Sequence, residues 1–388
     1  MIDINRVLYA LDAQQTEILL IETDKEKQLK YAQRDLNGML QRDQSSLLQR
    51  LPPNSRCGAR PTEDQDIFSS TIVPFTQRWQ SHQEARDWAK ETLRDIPTFA
   101  VDGSQITPNN EISWMVGLVQ IGWYENQHTL QGQYEKQSDV RLLTPQSFKQ
   151  REDRPAYIGD VLVNWQRFKG EVAQLIGYME ANADRTPKPL CFYDGSFLLS
   201  FVQHLLPSLQ QAYVEDMQSL LKTSQKTGIP IVGYIDSSYA NDVACMLSKL
   251  FNYGPTNLKD TALFETQMDW GDRTHFFQCA RDDNVPNEYY QDVYFTFLKT
   301  TSDHPPARVE IPKWVYESGE HERVLDLVRA ECVVGVGYPY VIETADATAV
   351  LTSEDRHRFY KLLQTYANKN KLNFRISRKA ISKRQRRS

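Results

Sequence analysis

The sequence predicts an α/β fold, a mixed sheet flanked by helices, and three observations carry that reading. Two apolar runs end in the same three residues: Thr98-Phe99-Ala100-Val101 leads into Asp102-Gly103-Ser104, and Leu190-Cys191-Phe192-Tyr193 into Asp194-Gly195-Ser196. Behind the first of these come further apolar runs with no helix between them, the pattern of antiparallel neighbours. Behind the second, helical periodicities alternate with short strands, as in a parallel portion of sheet with right-handed crossovers.

An apolar run ending in an acid reads as a buried strand that delivers a carboxylate to its end, where a glycine lets the chain turn tightly and leaves room beside the carboxylate. Each Asp taken alone reads equally as the cap of the turn that follows. Two such ends side by side would bring two carboxylates together, and these repel unless a cation or a shared proton lies between them. A divalent metal suits oxygen donors of this kind.

At 388 residues, 40% of them hydrophobic, the chain is long enough for a large domain with additions. A net charge of -5 singles out no class of partner, but its distribution is uneven. No acid follows Asp355, and the end from Arg375 to Ser388 is rich in Lys and Arg. Such a tail is either a nucleic-acid tether or a solvated terminus. The five cysteines form no Cys-x-x-Cys pair, which argues against a zinc site and a disulfide framework. No apolar run reaches the length of a membrane span and the N-terminus has no signal-peptide stretch, so no membrane association is expected. The expected location is cytoplasmic, at the nucleoid if the tail meets DNA.

Residues 1–96 are expected to form a helical arm and connector, 97–366 the main domain with an inserted lid over 252–292, and 367–388 the basic tail. From Ile4 to Leu51, Leu11, Ile18, Ile21, Leu29, Leu36, Leu40 and Leu47 recur at helical spacing. The arm would pack on a partner, on a second copy or on its own domain. Ser81 and Glu84 open a helix that runs to Arg94. Ile112–Trp123 and, more weakly, Val140–Leu143 read as strands. Strand, acid, then antiparallel neighbours is how a ribonuclease H-like sheet begins.

Val161–Ala183 is a helix whose apolar face carries Trp165, Phe168, Val172, Leu175, Ile176 and Met179. Glu171 lies beside that face and is the helix carboxylate expected to point at the acids, with Glu180 in reserve; either also reads as solvated. A helix over Leu209–Lys226 follows, then a strand from Gly228 ending in Asp236 and a helix over Asn241–Leu250. Residues 252–292 are irregular and polar, with one strand at His275–Cys279. Strands at Tyr294–Leu298 and Ala307–Ile311 and a helix over Glu320–Cys332 come next. Pro339 starts an extended piece, and Asp346 sits at a helix start, as an N-cap or as a further ligand.

Asp102, Glu171, Asp194 and Asp346 together make a candidate catalytic and metal-binding set for phosphoryl transfer, in which carboxylates hold Mg²⁺ or Mn²⁺ ions about 3.5–4 Å apart. No Gly-x-x-x-x-Gly-Lys-Ser/Thr loop, Gly-x-Ser-x-Gly elbow or His-x-x-x-His pair occurs, which lowers the case for an ATP motor, an α/β-hydrolase and a zinc peptidase.

With these residues assembled, the chain resembles the NurA nuclease family. The matching pieces are Phe99-Ala100-Val101-Asp102-Gly103-Ser104, Phe192-Tyr193-Asp194-Gly195-Ser196, Gly233-Tyr234-Ile235-Asp236, Arg308-Val309-Glu310-Ile311-Pro312, and Gly337-Tyr338-Pro339-Tyr340 running on to Ala345-Asp346. The resemblance implies a ribonuclease H-like core and a Mn²⁺- or Mg²⁺-dependent DNA nuclease, a 5′-to-3′ exonuclease and single-strand endonuclease. It further implies a homodimer working in double-strand-break end resection with a HerA-type hexameric ATPase. Asp102 and Asp194 match the family's first and second metal aspartates and Glu171 its helix glutamate. Near Asp346 archaeal relatives carry a His, and at Asp236 several carry a basic residue. Two other readings are a non-catalytic ribonuclease H-like scaffold that binds nucleic acid or recruits a motor, and a phosphatase or sugar-kinase-like enzyme acting on small phosphoesters.

Overall fold

The computed structural model of the chain describes residues 2–52, 57–149, 159–252, 254, 256–281 and 288–377. Half of the basic tail, residues 378–388, lies outside the described residues, as does part of the segment expected as a lid. The chain forms two compact units, one of Trp79–Gly233 and Glu317–Ser388, the other of Met1–Arg78 and Tyr234–Tyr316.

The first unit contains all four candidate acids. Its strands are β1 (Thr98–Ile106), β2 (Gly117–Asn126), β3 (Tyr134–Leu143), β4 (Leu190–Asp194) and β5 (Ile231–Ile235), the last running across the boundary into the other unit. They lie in the order β5-β4-β1-β2-β3. β1, β2 and β3 are an antiparallel meander, and β4 runs parallel to β1. This is the ribonuclease H-like mixed sheet that the sequence predicts.

Two strands differ from expectation. β3 spans Tyr134–Leu143 rather than Val140–Leu143, and nine of its ten residues are exposed. Being an edge strand with no core face, it carries Glu135, Lys136, Asp139 and Arg141 in place of apolar alternation, the usual defence of an open edge. β1 does not stop at Asp102 but continues to Ile106, because β2 pairs with it along its whole length.

The helices of this unit are α1 (His82–Leu93), α2 (Gly159–Ala181), α3 (Pro207–Thr227), α4 (His321–Val334), α5 (Tyr340–Ala349) and α6 (Ser353–Lys369). Ser81 caps α1 by accepting from Glu84 N at 3.2 Å. α2 and α3 cover one face of the sheet: Phe99 of β1 stacks on Tyr178 of α2 with ring centroids 3.8 Å apart, and Phe168 of α2 meets Tyr213 of α3. α4, α5 and α6 cover the other. There Thr98 meets Glu331 of α4, and Ile106 joins Tyr360, Leu363 and Ala367 of α6 in a buried cluster. Along β1, odd-numbered residues therefore face α2 and even-numbered ones face α5, as the two-residue repeat of a strand requires.

Contact between α5 and the sheet is unusually close. A Cβ on Gly122 of β2 would stand 2.6 Å from Ala349 N and 2.8 Å from the Thr348 carbonyl carbon. Glycine is present at this position to let a helix backbone touch a strand backbone.

In the second unit, Gly58–Pro61, Phe277–Ala280, Val293–Leu298 and Ala307–Pro312 pair antiparallel in that order, and Ile72–Val73 pairs with Arg273–Thr274. The stretch expected as a lid thus supplies paired strands to this unit. Buried ion pairs join its elements: Asp242 takes Arg308 Nη1 at 2.8 Å and Arg281 Nη2 at 2.6 Å, and Arg308 Nε reaches Glu310 at 2.7 Å. The long helix or helical hairpin expected over Ile4–Leu51 is three helices, Ile4–Ala13, Gln15–Met39 and Gln44–Arg50, with Asp43 capping the last through Ser46 N. Residues 2–27 are exposed throughout, and burial begins only in the last turns of the second helix, at Ala32, Leu36 and Met39.

Because the atoms opposing Gly122 are backbone, Gly122→Ala should force α5 off the sheet. The expected cost is about 1–3 kcal/mol, read as a lower thermal unfolding midpoint; an unchanged midpoint would show that this contact is looser than described.

Candidate active site

The register of the sheet brings the two Asp-Gly-Ser segments together. β1 and β4 pair in parallel from Thr98↔Leu190 to Val101↔Tyr193. Asp102 and Asp194 occupy the next rung, on adjacent strands roughly 5 Å apart and on the face that α5 covers. Asp102 is partly exposed and Asp194 exposed. Gly195 has φ +140°, a backbone that side-chain-bearing residues rarely adopt, so the turn after Asp194 needs glycine.

Asp346 approaches the pair from above. It was expected at a helix start, but α5 begins six residues earlier at Tyr340, with Pro339 as its N-cap, so Asp346 lies in the later part of the helix and caps nothing there. The helix is held at both ends. Glu331 of α4, fully buried, accepts from Val341 N at 3.0 Å and from Thr98 Oγ1 at 2.7 Å, with His128 Nε2 3.1 Å away. At the other end Gln120 Nε2 donates to Ala349 O at 3.0 Å, and Ser104 Oγ accepts from Leu351 N at 3.2 Å. The serine of the first Asp-Gly-Ser is therefore a bracket for the segment that carries Asp346.

Glu171 comes from the opposite face. Its carboxylate is buried on α2 and reaches the sheet at Gly103, where a Cβ would lie 2.5 Å from its Oε1. The first glycine thus leaves room for Glu171 rather than making a turn. Arg167, one turn earlier on α2, donates from Nη1 to Glu171 Oε1 at 2.9 Å and to Gly103 O at 3.2 Å. Glu180, the reserve candidate, is exposed near the end of α2. Asp236 is exposed in the other unit and accepts from Ser237 Oγ.

Electrostatics mark these carboxylates as one cluster. Burial pushes the Asp102 carboxyl up to about 6, with Asp194 and Asp346 adding to the rise and the Gly103 N–H opposing it. Asp346 is within hydrogen-bonding reach of Asp102. Burial likewise pushes Glu171 up to about 7; Arg167 pulls it down, and the charges of Asp102 and Asp194 push it further up. An acid raised by burial and by other acids is short of positive charge, and that deficit, with a donor set made only of carboxylate oxygens, fits a hard divalent cation. As the side chains stand, no three His, Cys, Asp or Glu among the described residues are drawn together as a metal-binding group. Two of the four are held elsewhere: Glu171 by Arg167, and Asp194 by Tyr338, whose hydroxyl donates to Oδ1 at 3.0 Å.

Arg167 and Tyr338 are site residues that the sequence reading did not single out. Arg167 carries the signal of a cation four residues before a helix glutamate. Tyr338 lies in the Gly-Tyr-Pro-Tyr segment, whose role could not be read without knowing that α5 starts there.

The NurA domain family matches residues 97–351. Among solved structures, the chain is similar to a NurA crystallised with manganese at 11% identity, covering 70% of this chain and 89% of that one, with a TM-score of 0.40. It is also similar to the catalytic domain of human endonuclease V at 12% identity, 76% and 92% coverage and a TM-score of 0.34. An endonuclease V from Bacillus subtilis matches at 12%, with 77% and 97% coverage and a TM-score of 0.30. No curated protein matches the chain.

The crowding has a consequence for stability. Asp102 and Glu171 hold protons in the folded chain up to about 6 and about 7, whereas the ordinary values are 3.8 and 4.5. Between those limits the folded chain binds more protons than the unfolded one, so their contribution to stability falls as pH rises. In metal-free buffer, Asp102→Asn should raise the thermal midpoint at pH 8 and leave little difference at pH 4; a variant less stable than wild type at pH 8 would contradict the repulsion.

Proposed function

The chain belongs to the NurA family, and from that premise we propose that it is a metal-dependent DNA nuclease whose active site is the carboxylate cluster of β1, β4, α2 and α5. One observation carries the reading: Asp102 is half-buried beside two further aspartates, with Glu171 reaching toward it across Gly103. Asp102, Asp194, Glu171 and Asp346 would hold Mn²⁺ or Mg²⁺, in a two-metal arrangement. Ions so bound activate a water and stabilise the leaving oxygen in phosphodiester hydrolysis. The chain's own residues supply the placement. The β1–β4 register sets Asp102 beside Asp194, and the brackets at Ser104, Gln120 and Glu331 fix the helix of Asp346. Tyr338 and Arg167 orient Asp194 and Glu171.

The finer parts of the reading rest on the family resemblance. They are 5′-to-3′ exonuclease and single-strand endonuclease activity, end resection at double-strand breaks with a HerA-type hexameric ATPase, and a homodimer. In support of a partner, the N-terminal helices leave Ile4, Leu8, Leu11, Ile18, Leu19, Leu20 and Ile21 exposed, an apolar surface of the kind that marks protein contacts. The basic tail is proposed to hold DNA. The alternative, a non-catalytic scaffold, is favoured by the pairing of Glu171 with Arg167, which holds one carboxylate apart from the others.

End-labelled single-stranded DNA distinguishes the two. Mn²⁺ or Mg²⁺ should support degradation that EDTA stops and that Asp102→Ala or Asp194→Asn lowers by about 100-fold or more; DNA left intact by the wild-type chain would favour the scaffold. Removing residues 1–27 should halve the mass seen by light scattering, and a dimer that persists would take the arm out of the interface.

A further inference from the structure

Resting on the nuclease reading, one side chain of the site has an unused capacity. Arg167 Nη1 is engaged by Glu171 and by the Gly103 carbonyl. Its Nε is buried and makes no hydrogen bond. Nη2 donates no hydrogen bond to any described residue, and the side chain is 33% exposed. The guanidinium is thus fixed on one side and open on the other. It is fixed with unusual care: a Cβ on Gly103 would stand 2.7 Å from Arg167 Cγ as well as 2.5 Å from Glu171 Oε1, so the gap in the first Asp-Gly-Ser admits both side chains.

If Arg167 served only to pair with Glu171, a lysine-like point charge on the helix surface would do. A planar guanidinium held through Nη1 instead presents the two N–H groups of Nη2 in a set direction, the geometry that takes an anionic oxygen. β4 ends at Asp194 while β1 runs on to Ile106, and β1–β4 pairing stops at Val101, so the carbonyl that Arg167 grips lies just past the end of the parallel ladder. That end is where Asp102 and Asp194 stand. A phosphodiester entering there brings a further negative charge to a place already crowded with carboxylates. Among the side chains described in this site, Arg167 carries the one positive charge.

We propose that Arg167 forms a phosphate subsite, with Nη2 taking a non-bridging oxygen of the DNA backbone while Nη1 keeps Glu171 and the Gly103 peptide in place. The ligand is a phosphodiester, recognised by charge and without regard to base.

The test uses the full chain and a short single-stranded oligonucleotide, with Ca²⁺ replacing Mn²⁺ for binding. One phosphate contact on a single strand contributes about 0.7 to the slope of log affinity against log salt. Arg167→Gln should flatten that slope by about this amount, and Arg167→Lys, whose single ammonium stays with Glu171, should flatten it as well. In Mn²⁺ the Gln variant should also lose about 10–100-fold in cleavage rate. If the Gln variant does not fold, Arg167→Met, which keeps the aliphatic stem, takes its place with the same expectation. An unchanged slope overturns the subsite even if cleavage falls, because Arg167 would then act on Glu171 alone. A wild-type chain that binds DNA without cleaving it in Mn²⁺ sinks the nuclease reading, and the slope still decides Arg167. A wild-type chain with no salt-dependent binding overturns both.

Discussion

Repulsion among carboxylates is the constraint around which the first unit is arranged. Four acids from two strands and two helices cannot be held in one another's field by their own attraction; something else must impose the geometry. The sheet imposes part of it. Once Val101 is paired with Tyr193, the next rung has no freedom, and Asp102 stands beside Asp194. The rest is imposed by neutral or buried groups at the margins of the cluster. Ser104, Gln120 and Glu331 clamp the helix of Asp346, and the missing Cβ of Gly122 lets that helix sit against the strand. None of these groups is itself one of the four carboxylates. Their effect is to hold a charge distribution that would otherwise relax apart.

The same constraint explains the two-faced construction. Three aspartates, from β1, β4 and α5, meet on one face of the sheet, and a fourth carboxylate on that face would meet all three at short range. Glu171 is placed on the opposite face and reaches toward the cluster only where Gly103 opens the sheet. Approaching from behind, it can be accompanied by Arg167, which partly offsets its burial. The balance remains incomplete, since Asp102 and Glu171 both stay raised. A site left short of positive charge binds cations and phosphate-bound metals more strongly than a neutralised one, at the expense of the stability of the metal-free fold.

Much of this was legible in the sequence, and the divisions are instructive. Asp102 and Asp194 were readable because burial dictates the residues before them: the apolar runs Phe99–Val101 and Leu190–Tyr193 read as strands with both faces covered. Glu171 was singled out from the apolar stripe beside it, and the structure buries it against Gly103 while Glu180 is exposed near the end of α2. β3 was half-missed because an edge strand answers to solubility rather than to a core. Asp346 was found but assigned to the wrong place in its helix, since Pro339 reads as an extended piece when it is in fact an N-cap. The role of Gly103 was read only in part, the room it leaves being expected along with a turn that β1 does not make. Glycine permits a turn and also permits close approach, and only the neighbours reveal which.

The segments that carry the family resemblance do two different kinds of work. Those at Asp102, Asp194 and Tyr338 converge in the carboxylate cluster of the first unit. Arg308-Val309-Glu310-Ile311-Pro312 instead lies in the second unit, with the Arg308 guanidinium over the Phe295 ring at 3.6 Å, paired with Asp242 and Glu310 and fully enclosed. A charged motif there resists change as strongly as an active-site motif does, because removing either partner strands an ion in a low-dielectric interior. Charge and family pattern therefore do not by themselves identify chemistry. The distinction lies in compensation. Asp242, buried between Arg281 and Arg308, is held below the usual carboxylate range, whereas Asp102 and Glu171 are pushed above it. Even that is not sufficient alone, since burial beside Asp242 pushes Asp260 up to about 7 while it accepts from Val243 N and Ala244 N at the start of a helix. What sets Asp102 apart is that its neighbours in the site are further carboxylates at the open end of two strands.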